Sequence, residues 1–80
     1  NFKKHGVDFE EAASVFYDPL ARIFEDPYHS IMEERLIIIG WSKHSRILFI
    51  SHLFNERLQE IRIVSARKAT GREIKDFEEI

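Results

Sequence analysis

The 80-residue sequence contains no cysteine. That removes disulfides and thiolate metal ligands, and it argues against a small secreted scaffold stapled by bridges. Long apolar stretches are missing as well. The longest uncharged runs, Ile47–Asn55 and Leu36–Ser42, fall far short of the ~20 residues a membrane-spanning helix requires. The N-terminus shows no signal-peptide pattern. There is no Gly-rich phosphate loop, no His-Glu-x-x-His pair, no nucleophile elbow and no paired-carboxylate signature. Metallohydrolase, Ser or Cys hydrolase and nucleoside-triphosphate chemistry are therefore not expected, and no cofactor or metal is. No internal repeat, low-complexity tract or interdomain linker interrupts the chain. What the chain does have is core material: seven Phe, two Tyr and one Trp within a composition 44% hydrophobic and 32% charged. A disordered chain lacks such content. The expectation is one soluble, cytoplasmic domain over residues 1–80 that does not enter a membrane.

The net charge of -2 hides an uneven distribution. Two lysines open the chain. Asp8 to Glu34 carries eight acids against Arg22 alone, a local -7, and Arg35 to Lys75 carries nine bases against three acids, a local +6. Asp76, Glu78 and Glu79 close it at -3. Blocks of this kind either form an acidic and a basic face or interleave in space and neutralise each other.

Hydrophobic spacing gives the order of elements. Asp8 caps a helix, with Glu11 three residues on completing a box and Val7 and Ala12 placed as a staple. Phe9, Ala12, Ala13 and Phe16 follow helical spacing until Asp18-Pro19 ends the run. Asn1–His5 reads as the last turn of an earlier helix stopped by Gly6. The period then changes. Leu20–Phe24, Leu36–Trp41, Ile47–Phe54 and Glu60–Ala66 are short runs rich in Ile, Leu, Phe and Val, separated by turn-like stretches, as in a meander of three or four antiparallel strands. Ile61 and Ile63 share one face and Arg62 the other. Thr70-Gly71-Arg72-Glu73 is a capping box that opens a last helix with Ile74 and Phe77 as its apolar stripe. The fold class is α+β.

Four histidines, His5, His29, His44 and His52, lack metal-ligand spacing; His52 reads as a strand residue and His29 as a loop residue. The arginines are more informative. Arg57 lies at a hairpin and Arg62 on a strand. Arg67-Lys68 sits where the last strand meets the last helix, and Arg72 follows the cap. Guanidinium groups gathered near a helix N-terminus make a phosphate-binding corner, unless they pair with Glu33, Glu34, Glu56 and Glu60.

Several segments together resemble a known family. They are Lys3-Lys4-His5-Gly6-Val7-x-Phe9-Glu10-Glu11-Ala12, then Val15-Phe16-x-Asp18-Pro19, then Glu33-Glu34-Arg35 before a strand ending in Gly40. Ile63-Val64-Ser65-Ala66-Arg67-Lys68-Ala69-Thr70 with Arg72-Glu73 completes the set. In this order, across nearly the whole chain, they look like the BrnT toxins of bacterial type II toxin–antitoxin systems. The resemblance implies a RelE-like domain: an antiparallel sheet against N-terminal helices, with a C-terminal helix. It implies a metal-independent endoribonuclease that inhibits translation and is neutralised by a BrnA-like antitoxin of ribbon-helix-helix type. DNA is then reached only through the antitoxin, and the functional unit is open between a homodimer and a hetero-oligomer. Family members usually begin with a short Trp-Asp-Pro strand and a helix leading to the residue matched by Asn1, so the resemblance reads the domain as N-terminally incomplete.

Metal-free cleavage of this kind needs a base for the ribose 2′ proton, cations for the crowded phosphorane and an acid for the leaving 5′-oxygen. At the matched positions Arg57 and Arg67 are expected as phosphate clamps, with Lys4 and His5 completing the pocket. Glu34 is expected to orient an arginine or act as base, and Arg35 to support it. The competing expectation is a catalytically inactive module that binds an antitoxin or another partner. A gyrase-directed toxin on a similar fold is the third.

Overall fold

In the computed structural model, which describes residues 6–26 and 34–79, Asp8 caps helix α1 (Phe9–Ser14) by accepting from the Glu11 amide at 2.8 Å. Val7 and Ala12 are buried in one apolar cluster, as a staple requires. The helix tightens into a 3-10 turn at Val15–Tyr17 and stops at Asp18. The expected helical turn before Gly6 lies outside the described residues; Gly6 itself has φ 76, a left-handed conformation suited to glycine.

Four strands follow: β1 (Arg22–Glu25), β2 (Arg35–Trp41), β3 (Ile47–Asn55) and β4 (Glu60–Lys68). They form one antiparallel meander in the order β1-β2-β3-β4. Helix α2 (Gly71–Glu78) closes the fold, and both hydrogen bonds of the Thr70–Glu73 capping box are made. The architecture is α+β. No helix among the described residues is long and apolar enough to cross a membrane.

Alternation along the strands sorts the core into two layers. One sheet face sends Ile38, Leu48, Ile50, Ile63 and Ala66 against Val7, Ala12, Val15 and Phe16. The other sends Phe24, Ile37, Ile39, Ile47 and Phe49 against Ile74 and Phe77 of α2. Phe9, expected on the apolar stripe of α1, is instead 55% exposed, whereas Glu11 is buried. Glu11 does not complete the expected capping box either. Its carboxylate accepts from Ser42 Oγ at 2.6 Å and from Arg46 Nε at 2.9 Å and Nη2. A charged donor beside a buried carboxylate outcompetes a neutral backbone amide, so the side chain turns to the β2–β3 turn.

That turn is tied to α1 at further points: the Lys43 amide donates to Ser14 Oγ at 2.8 Å, and Arg46 Nη2 donates to the Gly6 carbonyl at 2.8 Å. Asp18 performs the same service one layer over. Its carboxylate accepts from the Leu20 amide at 3.0 Å and the Trp41 amide at 2.7 Å, fixing the entry to β1 against the end of β2. Gly40 is what allows this close approach. A Cβ there would lie 2.8 Å from Ala21 Cβ and 2.9 Å from Asp18 Oδ2. Gly40→Ala is expected to lower the unfolding free energy by about 1–3 kcal/mol, read by urea denaturation.

Candidate functional site

β4 contains a bulge. Ser65 pairs with Ser51 and Ile63 with His52, so Val64 has no partner and the register shifts between them. An inserted residue reverses the alternation of everything beyond it. In an unbroken strand Arg62 and Arg67 would point to opposite faces. Here Arg62 stands opposite Leu53 and Arg67 opposite Phe49, two β3 residues of the same face. Arg35 is also opposite Leu53, from the other side. One rung therefore reads Arg35–Leu53–Arg62 across three strands, on the face that also holds Arg67. Arg62, expected among the arginines of a phosphate-binding corner but not among the catalytic residues, shares a face with Arg67 that a strict period of two would deny it.

At the end of the sheet where β2 begins and β3 turns into β4, a hollow of about 380 Å³ is lined by Glu34, Leu53, Phe54, Asn55, Glu56, Glu60 and Arg62. Glu34 is exposed at the start of β2, held in place where its carbonyl accepts from the Phe54 amide at 3.3 Å. The turn bearing Arg57 adjoins this hollow. It is fixed by Asn55 Oδ1, which accepts from the Leu58 amide at 3.1 Å, and by Gln59, which takes φ 53 and donates to the Glu56 carbonyl. Among the described residues, Arg57 and Arg62 form no ion pair with Glu34, Glu56 or Glu60. The neutralising arrangement foreseen from composition is absent at these positions.

Arg67 is placed differently. Its guanidinium lies 4.0 Å above the Phe49 ring centroid and meets Glu73 through two bonds of 2.8 and 2.9 Å. Those bonds from Arg67 hold the Glu73 carboxyl below its ordinary range, and Glu73 raises Arg67 in turn. The contact clamps α2 to the sheet. Phe49 and Asn55 are separated by roughly 20 Å at a rise of ~3.4 Å per residue, so Arg67 and Arg57 do not close on one phosphate. The structure thus groups Glu34, Arg35, Arg57 and Arg62 at one end of the sheet and sets Arg67 at the other. Lys4, His5, His29 and Glu33 lie outside the described residues.

The acidic and basic blocks meet locally. Glu11 with Arg46, and Glu10 with Lys43 at 3.4 Å, join them where α1 touches the β2–β3 turn. The arginines of the other sheet face remain apart from that contact. His52 is a packed histidine. It is buried with its ring edge-on to Phe16 at 5.0 Å, burial pushes its pKa down, and its Nδ1 has no hydrogen-bond partner among the described residues. Among the same residues, no three His, Asp or Glu side chains converge as a metal-holding group.

A model of the protein family described as the ribonuclease toxin BrnT of type II toxin–antitoxin systems matches residues 1–73. No curated protein matches the chain.

Proposed function

Given that the chain belongs to the BrnT family of ribonuclease toxins of type II toxin–antitoxin systems, we propose that it cleaves RNA without a metal at the end of the sheet that carries Glu34 and Arg62. The 2′-oxygen attacks the adjacent phosphorus and its proton passes to Glu34. The P–O5′ bond breaks, leaving a 2′,3′-cyclic phosphate and a protonated 5′-oxygen. Arg62 and Arg57 face the phosphorane oxygens, where a planar guanidinium meets two oxygens at once. Arg35 supports Glu34 from the first residue of β2. The leaving 5′-oxygen takes its proton from solvent water. Arg67, paired with Glu73 and stacked on Phe49, holds α2 against the sheet.

The observation that carries this reading is the common hollow of Glu34 and Arg62, where Arg62 forms no ion pair among the described residues. Cleavage of cellular RNA halts translation in the cytoplasm, and a BrnA-like antitoxin neutralises it and supplies the DNA-binding element. Expression of the chain is expected to arrest growth with RNA degraded and DNA supercoiling intact. Purified protein is expected to cleave RNA in the presence of chelator. Arrest with intact RNA overturns the reading, and loss of supercoiling transfers it to a gyrase-directed toxin.

A further inference from the structure

The sheet has two edges, and they differ. The β4 edge carries Arg62, Arg67 and Lys68 and is bent by the Val64 bulge, the features that discourage strand addition. The β1 edge is short, and its surroundings are apolar: Ile23 is 59% exposed, Leu20 67% and Trp41 42%. Among the described residues no strand pairs with the outer side of β1. The Asp26 amide donates to the Arg35 carbonyl at 3.1 Å. Since bonding positions alternate in an antiparallel pair, Phe24 and Arg22 also bond inward, and the amides and carbonyls of Ile23 and Glu25 point away from β2.

On the α2 side of the sheet, two hollows open beside this edge. One, of about 400 Å³, is lined by Leu20, Arg22, Trp41, Phe77 and Glu78 among others. The second, of about 180 Å³, has a floor of Phe24, Ile37, Ile39 and Phe49, with Glu73 and Asp76 at its rim. Arg22 borders the first and Phe24 the second, so the hollows are spaced as alternate residues of one strand. The first carries Glu78 as well as Arg22; at the second Glu73 is paired with Arg67, which leaves Asp76 as its acidic group toward a partner.

We propose that β1 is the docking edge for an extended segment of a partner protein. Two apolar side chains at alternate positions enter the two hollows, and lysine or arginine flanks them on the same face. This rests on the reading of the chain as a toxin held by a protein antitoxin, and names the edge that receives it. Backbone hydrogen bonds to Ile23 and Glu25 supply affinity, and the hollows supply sequence preference. A second copy of the chain does not suit the edge. Pairing β1 with β1 about a two-fold axis sets both α2 helices on one side, with Asp76 and Glu78 of each facing acidic neighbours.

The test uses the full chain and the peptide Lys-Thr-Leu-Val-Leu-Thr-Lys, which presents Lys, Leu, Leu and Lys on one face. Trp41 is the sole tryptophan, and its emission reports filling of the first hollow. A saturable emission change is expected, and the Glu-flanked version of the peptide is expected to bind at least about tenfold more weakly. Ile23→Pro removes an outward donor without touching the β1–β2 ladder and is expected to weaken binding by about tenfold. Asp76→Lys is expected to bring the affinities of the two peptides together. Equal binding of both peptides by the unaltered chain overturns the proposal. So does unchanged binding by a folded Ile23→Pro, and if that variant fails to fold, the Asp76→Lys comparison decides. RNA cleavage measured alongside separates the two levels. Cleavage without peptide binding removes only the docking edge, whereas absence of cleavage removes the catalytic reading.

Discussion

Arg62→Ala is expected to reduce RNA cleavage by at least about a hundredfold while leaving the fold intact, the loss that follows removal of one donor to a developing charge. The side chain is exposed, opens on the Glu34 hollow and holds no ion pair among the described residues, so its removal breaks no ion pair there. Glu34→Gln keeps the shape and removes the base, and a comparable loss is expected. Arg62→Lys separates the two parts of the effect. A lysine restores charge without the planar fork, so partial recovery places the arginine on two phosphate oxygens. Single-turnover cleavage of a short RNA, with circular dichroism as the folding control, gives the numbers. Wild-type rates for both Arg62→Ala and Glu34→Gln would remove the reaction from this end of the sheet. Arg67→Ala is a different experiment, because its guanidinium clamps Glu73 and covers Phe49; a melt separates its structural share from any catalytic one.

The second large effect concerns stability. Glu11→Ala is expected to cost about 3 kcal/mol, the low end of the range for breaking a buried ion pair, since Arg46 is about one-third exposed and regains water. In a domain of this size that lowers the melting temperature by more than about 10 °C. Charge-assisted bonds from Arg46 hold the Glu11 carboxyl at about 2, against burial, which acts upward, and with Ser42 assisting. A carboxyl whose pKa is lower in the folded chain than in the unfolded one stabilises fully above the unfolded value. That contribution is lost as the pH falls from about 4.5 towards about 2. Urea melts between neutral pH and pH ~2.5 are expected to show that decline, and Glu11→Gln is expected to flatten it. An unchanged slope in Glu11→Gln would assign the acid sensitivity to other carboxyls.

Both effects involve residues whose local role was legible and whose tertiary role was not. Glu11 sits where a capping box calls for glutamate, and Asp8 does cap the helix. What turns Glu11 inward is Arg46, far along the chain at the next turn but one, and no local pattern carries that pairing. At Thr70 and Glu73 nothing competed, and the box formed as the four residues prescribe. His52 was legible as a strand residue, and Phe16 over its ring is a contact only the fold supplies.

The sequence by itself determined the α+β class, the strands and their order along the chain, the caps of both helices and the family. These follow from spacings of two, three and four residues, which act within an element, and from segments that match in order across nearly the whole chain. The tertiary structure alone decided which arginines share a face. Ile63 and Ala66 both bury against α1 and the 3-10 turn, yet their odd separation forbids this in an unbroken strand. The bulge at Val64 resolves the conflict. In doing so it moves Arg62 to the side of Arg35 and Arg67. The demand that creates the bulge arises from packing between elements, so strand periodicity cannot contain it.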